Sequence, residues 1–153
     1  MKKFPITESI VFVIVLFLDQ LSKIIVALTL PSGQSATVIQ NWIYITHTHN
    51  SGTIWGIAQG SNYIFAIVAV AVICLVLFMS PKITSSLFSK ICLGAILGGA
   101  IGNLVDRIFR GFVIDFIEFR IINFPVFNVA DIGIVCGAIL LAISMLFAPK
   151  ELE

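Results

Sequence analysis

The chain has 153 residues, 59% of them hydrophobic and only 11% charged, with a formal net charge of +1. A soluble domain is about 45–50% apolar and about 25% charged, so this composition excludes an ordinary soluble protein and indicates a membrane protein. The length fits a single domain over residues 1–153. No excess of basic residues is available to bind nucleic acid, so no such partner is expected.

The first apolar segment follows Lys2 and Lys3 and resembles a signal peptide at its start. Apolar sequence resumes after Asp19 and Lys23, however, and no small-residue cleavage site is evident. We therefore predict a retained spanning helix over residues 8–30, close to the about 20 residues that a bilayer requires.

Asp19 and Lys23 are four residues apart and so share one face of this helix. Charged groups inside a membrane are costly unless they are paired or functional. The pair is predicted either to orient the helix or to contact a substrate, and the spacing does not separate these roles. Ser22 next to Lys23 does not make a Ser-Lys nucleophile, because adjacent helical residues face different directions.

Residues 31–61 form a polar segment that contains no Lys, Arg, Asp or Glu. Its part from 37 to 48 is dense in β-branched and aromatic residues, which predicts strands of a short sheet at the membrane surface. His47 and His49 would share one strand face, but the sequence offers no third metal ligand in an HExxH or cysteine pattern. We interpret them as polar strand residues and expect neither a metal nor a cofactor.

Further spanning helices are predicted at residues 62–80, 87–109 and 126–148, with Pro81 ending the second. Gly94, Gly98 and Gly102 recur every four residues and would place bare backbone on one face of the third helix, so that a neighbouring helix can approach closely. The cysteines Cys74, Cys92 and Cys136 are interpreted as small packed hydrophobic residues rather than as disulfide partners.

Between the third and fourth helices, residues 110–125 are predicted to leave the membrane core. Apolar and polar residues alternate around Asp115 with the period of a strand. Asp131 follows in the first turns of the fourth helix, so the two aspartates can meet. Two carboxylates held close share a proton, and the ionised one can then activate a water. The alternatives are structural acids or a proton relay in a small transporter.

The outer end of the third helix carries Asn103, Asp106 and Arg107 at positions that share a face. Asp106 and Arg107 are interpreted as a polar cluster whose side chains form hydrogen bonds with each other and with the backbone of the adjacent loop. Asn103 follows the glycine face directly and is a candidate site residue.

Loop charges predict the orientation. Lys82 and Lys90 lie on the same side as the N-terminal lysines and Lys150, whereas Arg107, Arg110 and Arg120 lie on the other side. This excess favours both termini in the cytoplasm and the segments 31–61 and 110–125 outside.

The motifs resemble the lipoprotein signal peptidases (signal peptidase II) of bacteria over nearly the whole chain. Residues 19–23, DQLSK, are similar to the first-helix motif of that family, and residues 50–52, NSG, to its loop motif. Residues 98–107, GGAIGNLVDR, match its third-helix signature. Residues 111–116, GFVIDF, and 127–131, FNVAD, match the segments that carry its catalytic aspartates. One departure is the bulky Ile54, where the family has small residues.

The resemblance implies an all-α membrane protein with four transmembrane helices and a small extracytoplasmic β-sheet. It implies an aspartic endopeptidase of the inner membrane that cleaves a diacylglyceryl-modified prolipoprotein before its lipidated cysteine, with membrane lipids around a monomer. Asp115 and Asp131 would be catalytic. The supporting or substrate-binding positions would be Asn103, Asn128, Asp19, Lys23, Asn50, Gly99 and Arg107.

Overall fold

The computed structural model describes residues 6–52, 62–83, 86–122 and 124–147. It contains helices α1 Ile6–Thr29, α2 Asn62–Ile83, α3 Leu87–Phe109 and α4 Val129–Phe147, and strands β1 Ser35–Ile39, β2 Ile43–Asn50 and β3 Val113–Phe119. Within the described residues, these four helices are long and apolar enough to cross a membrane. The prediction of four spanning helices with a small sheet is therefore confirmed.

Helix α3 is the centre of the bundle. It packs against α1, α2 and α4, and it is far more buried than the other three helices. Those helices direct their large apolar side chains outward, as Phe17, Ile67 and Leu146 illustrate. Outward apolar surface of this kind is what a lipid environment requires.

Glycines allow α3 to approach two partners closely. A Cβ atom added at Gly98 would lie 2.8 Å from the Phe12 carbonyl oxygen of α1. On the α4 side, a Cβ atom at Gly99 would collide with the Ala130 carbonyl oxygen. In the same way, a Cβ atom at Gly133 of α4 would lie 3.0 Å from the Ala95 carbonyl oxygen of α3. The predicted close approach at the glycine face is confirmed, and α1 is the helix that uses it.

Strand order in the sheet is β1-β2-β3, and both pairs are antiparallel. Thr48 pairs with Asp115, next to an irregularity in β2. The expected alternation of burial in β3 is wrong in its first half, because Val113 to Phe116 are all buried. Helices α1 and α3 contact this strand, and Phe127 forms a β-bridge with Ile117 at its outer edge, so the strand is packed against the bundle instead of having one exposed face.

Two helix boundaries differ from the sequence expectation. Helix α2 continues through Pro81 to Ile83, since a membrane helix tolerates the loss of one backbone donor near its end. Helix α4 begins at Val129 rather than 126, because Phe127 is still extended against β3 and Asn128 caps the helix.

The cysteines occupy different environments. Cys92 packs in the bundle core with Leu93, Ile96 and Leu97. Cys74 and Cys136 are exposed, so the interpretation of all three as packed residues is wrong for these two. In a membrane protein an apolar position can face lipid as readily as the core, and the sequence pattern does not separate the two.

Candidate active site

A cavity of about 840 Å³ opens at the end of the bundle where α3 ends and α2 and α4 begin. Asp115 and Asp131 both line it, together with Asn50 and Arg107. The rest of the wall is largely apolar and includes Phe65 of α2, Ile132, Val135 and Cys136 of α4, and the connecting residues Phe124 and Phe127. The structure thus brings two carboxyl groups to a cavity suited to an apolar ligand.

Asp115 is held by amide donors on both carboxyl oxygens. Asn50 Nδ2 lies 2.8 Å from Oδ2, and Asn128 Nδ2 lies 2.6 Å from Oδ1. The side chain is 3% exposed. Burial, and next the negative charge of Asp131, raise the pKa of Asp115 to about 7, whereas the hydrogen bonds from the two asparagines oppose that rise. At neutral pH this carboxyl group therefore exchanges between its protonated and ionised forms.

Asp131 belongs to a reciprocal cap at the start of α4. Its backbone N–H donates to Asn128 Oδ1 at 3.0 Å, and the Asn128 backbone N–H donates to Asp131 Oδ2 at 3.1 Å. This is the capping-box arrangement with Asn and Asp in place of the usual residues. Asn103 Nδ2 donates to the other oxygen, Oδ1, at 2.8 Å. Both oxygens of Asp131 therefore accept hydrogen bonds, and Asn103 and Asn128 hold its carboxyl group in place at the start of α4.

Asn103 and Asn128 join the two carboxyl groups into one network. Both amide side chains are buried, and Asn128 Nδ2 is 3.2 Å from Asn103 Oδ1 as well as being bonded to Asp115. Asn103 in turn donates to Asp131. A displacement of either amide would move both aspartates together.

A buried ionic cluster lies behind the asparagines and is formed by Asp19, Lys23, Asp106 and Arg110. Lys23 Nζ lies 2.8 Å from Asp19 Oδ2 and 2.9 Å from Asp106 Oδ2. Asp106 also pairs with Arg110. Asp19 Oδ1 accepts a 2.9 Å hydrogen bond from the Ala130 backbone N–H and so ties α1 to the start of α4.

Sequence reasoning missed three contacts of this network. The Lys23–Asp106 pair joins α1 to α3, and no local spacing could reveal it. The Asp106–Arg110 pair has the i, i+4 spacing of an ion pair on one helix face, which is a signal for it in the sequence. Gln20 of α1 also contacts α3, because its Nε2 donates to the Gly102 carbonyl oxygen at 3.2 Å.

The remaining predicted positions fall into two groups. Arg107 faces the cavity, and its Nη1 donates to the Asn103 carbonyl oxygen at 3.2 Å. Gly99 is a packing position against Ala130 rather than part of the cavity wall. Asp19 and Lys23 are fully buried and do not line the cavity. Ile54 lies outside the described residues.

The two histidines of β2 serve separate contacts. His47 Nδ1 donates to the Leu30 carbonyl oxygen at 2.7 Å, whereas the His49 ring stacks on Phe112 at 3.9 Å. Burial and the neighbouring His47 lower the pKa of His49. Within the part of the chain that the structure describes, no three His, Cys, Asp or Glu side chains are grouped to hold a metal ion.

Comparisons with known proteins agree with this architecture. A model of the family described as signal peptidase (SPase) II matches residues 11–147. The chain is 38% identical over 149 residues to a protein named lipoprotein signal peptidase from Staphylococcus haemolyticus (strain JCSC1435), covering 95% of this chain and 94% of that protein. A Staphylococcus aureus (strain JH9) protein of the same name is 37% identical over 148 residues, covering 95% and 91% of the two chains.

Two solved structures, both described as a bacterial membrane enzyme, share the fold at 34% sequence identity. One has a TM-score of 0.85, with 99% of this chain and 97% of that chain covered. The other has a TM-score of 0.83, with coverages of 96% and 97%. The family match spans the glycine face of α3, the asparagine network and both aspartates. This chain belongs to the signal peptidase II family, and it is a membrane-bound peptidase.

Proposed function

We propose that this protein is an aspartic endopeptidase in which Asp115 and Asp131 activate a water molecule. The observation that carries the proposal is the pairing of these two carboxyl groups, through Asn103 and Asn128, at the wall of one largely apolar cavity. Asp131 caps the start of α4 and accepts from the Asn103 amide and the Asn128 backbone N–H, whereas Asp115 is almost completely buried, and burial raises its pKa. Such unequal environments divide the base and acid roles between two like groups.

In the proposed reaction, Asp131 accepts a proton from a water as the water oxygen attacks the scissile carbonyl carbon. Asp115 donates its proton to the carbonyl oxygen, which gives a neutral tetrahedral intermediate. The carbon–nitrogen bond then breaks, the leaving nitrogen takes the proton held by Asp131, and a carboxyl product forms. Asp115 recovers its proton from the collapsing intermediate, so the pair returns to its starting state. Arg107 lies at the cavity wall and supplies positive charge to the developing oxyanion.

The proposed substrate is a prolipoprotein whose cysteine already carries diacylglycerol, and the cleaved bond precedes that cysteine. Proteins named lipoprotein signal peptidase, 37–38% identical to this chain, support the assignment. The cavity supports it as well, because Phe65 of α2 and Val135 of α4 extend an apolar wall from the aspartates into the spanning region. A lipid-anchored substrate can then enter sideways from the bilayer.

We further propose that the enzyme lies in the inner membrane with both termini in the cytoplasm. Lys82 and Lys90 lie at the end of the bundle opposite the aspartates, which supports an outward-facing site by the positive-inside rule. A monomer is sufficient for the proposed reaction, since both aspartates and both asparagines come from one chain.

The test uses purified protein and a synthetic prolipoprotein peptide with the diacylglyceryl-modified cysteine. We expect a product whose new amino terminus is that cysteine, identified by mass spectrometry. The matched control is the same peptide without the diacylglyceryl group, which should be cleaved far more slowly. Cleavage at another bond, or equal rates for the two peptides, would contradict the substrate assignment.

A further inference from the structure

Lys23 is a chemistry-bearing residue to which the proposed reaction gives no role. Its side chain is completely buried within the protein, and it is absent from the cavity wall. A contact between its ammonium group and a bound substrate is therefore excluded by position. Its hydrogen bonds instead lead toward Asp131 through one intermediate side chain.

The ammonium group of Lys23 has three N–H donors and no acceptor. The described partners account for all three, since Nζ lies 2.8 Å from Asp19 Oδ2, 2.9 Å from Asp106 Oδ2 and 3.0 Å from Asn103 Oδ1. Because Lys23 can only donate, the Asn103 atom that faces it must be the amide oxygen. Asn128 Nδ2, a second donor, lies 3.2 Å from the same oxygen.

This orientation fixes what Asn103 presents to Asp131. An amide whose oxygen is held on one side must direct its NH₂ group to the other, and Nδ2 lies 2.8 Å from Asp131 Oδ1. Rotating the amide by half a turn would place its NH₂ group against the Lys23 ammonium and its oxygen against Asp131. That rotated state is compatible only with a protonated Asp131, which could then donate.

We propose that Lys23 is a positioning residue that keeps Asp131 an acceptor by locking the orientation of the Asn103 amide. This inference rests on the proposed aspartic mechanism, in which Asp131 is the base. Lys23 acts through two hydrogen bonds and touches neither the substrate nor the water. Its effect should appear in the pH dependence of the reaction rather than only in stability.

Several titratable or charged groups surround Asp131, and their total charge must stay unchanged for that effect to be read. They are Asp115 from β3 and Arg107 from α3 at the cavity, His49 from β2 at its wall, and the ionic cluster of Asp19, Lys23, Asp106 and Arg110 behind it. Two acids and two bases make this cluster neutral, so one ion pair can be removed without changing its total charge.

The test variant is the double change Asp19→Asn with Lys23→Met. Removing Lys23 alone would leave two buried carboxylates with only Arg110 to neutralise them, which destabilises the protein for reasons unrelated to Asn103. The double variant keeps the cluster neutral and removes the Lys23 donor to Asn103, which leaves the longer contact from Asn128 Nδ2 as the remaining described donor to that oxygen. Its matched control is Asp106→Asn with Arg110→Gln, which also removes one acid and one base, eliminates the Lys23–Asp106 and Asp106–Arg110 pairs, and retains the hydrogen bond from Lys23 to Asn103.

We expect the acidic limb of the kcat/KM profile of the Lys23 variant to move upward by about one pH unit. That size is expected when one hydrogen bond to a carboxylate is lost. The control pair should keep the wild-type limb. An unshifted limb in the Lys23 variant, or an equal shift in the control, would overturn the proposal, while the aspartic mechanism would stand on its own variants.

A second readout does not depend on turnover. Infrared difference spectra between each protein and its Asp131→Asn version, both carrying Asp115→Asn so that the second carboxyl group does not contribute, isolate the protonated-carboxyl band of Asp131, which can be followed against pH. The midpoint should be about one pH unit higher in the Lys23 variant than in the wild type and in the control. Equal midpoints in all three proteins would refute the role of Lys23 even if every variant had lost activity.

Discussion

At the residue scale, the site is organised by asparagine amides. Asn50 and Asn128 both present N–H groups to Asp115, so the proton of this acid must occupy a lone pair that neither amide uses. Gly52 N–H fixes the Asn50 amide by donating to its Oδ1 at 2.9 Å. The carboxyl group is thereby held rigidly while its proton remains available to a ligand in the cavity.

The raised pKa of Asp115 makes stability depend on pH. The folded protein holds this proton up to about pH 7, whereas an unfolded chain loses it near 3.8, so folding takes up a proton between these values. The free energy of unfolding should therefore fall as pH rises from about 4 to 7, by a total on the order of 2–4 kcal/mol.

Asp115→Asn should abolish this contribution. The NH₂ group of the new amide faces an asparagine donor, which lowers the free energy of unfolding by the same amount at every pH. The informative quantity is therefore the change of that free energy with pH. We expect the stability of Asp115→Asn relative to wild type to increase between pH 4 and 7 and to level off above that range. Denaturant unfolding in detergent at pH 4.5, 6 and 8 measures it, and a constant difference would show that Asp115 is not the protonated group.

At the element scale, the packing of the other helices around α3 positions the candidate site residues. The glycine spacing and the apolar helix lengths were readable from the sequence because each depends on neighbours within one helix. The Lys23–Asp106 pair and the burial of both faces of β3 were not readable. They depend on which elements become neighbours, and a period of two or four residues carries no information about that.

Gly98→Ala tests the α1–α3 contact. The added Cβ atom would lie 2.8 Å from Phe12 O and 2.9 Å from Val15 Cβ, so the helices must separate. We expect a loss of about 1–3 kcal/mol in the free energy of unfolding. Ile91→Ala, a lipid-facing position on the same helix, is the control and should cost much less. Equal losses would mean that the glycine face does not limit the approach of the two helices.

At the scale of the whole molecule, one end of the bundle carries the sheet and the aspartates, and the other carries Lys82 and Lys90. The two aspartates were predicted to meet because they lie in adjoining elements that can fold back on each other, and the structure brings them to one cavity. The asparagine links between them were predictable only as family positions, since no spacing indicates that Asn103 and Asn128 touch.

Orientation in the membrane can be measured by thiol labelling. In a background without Cys74, Cys92 and Cys136, Gln34→Cys lies at the sheet end and Ser86→Cys at the opposite end, and both positions are exposed. An impermeant thiol reagent applied to intact cells should label only the first variant, and both should be labelled after permeabilisation. The reverse pattern would place the aspartates on the cytoplasmic face.

The most direct test of the aspartate mechanism is the turnover of Asp115→Asn, Asp131→Asn and the double variant on the diacylglyceryl-modified peptide. The two carboxyl groups act as a unit, so each single variant should lose nearly all activity and the double variant should be little worse. Thermal unfolding of the same preparations verifies that they are folded. Near-normal turnover by either folded single variant would show that the two aspartates are not the catalytic pair.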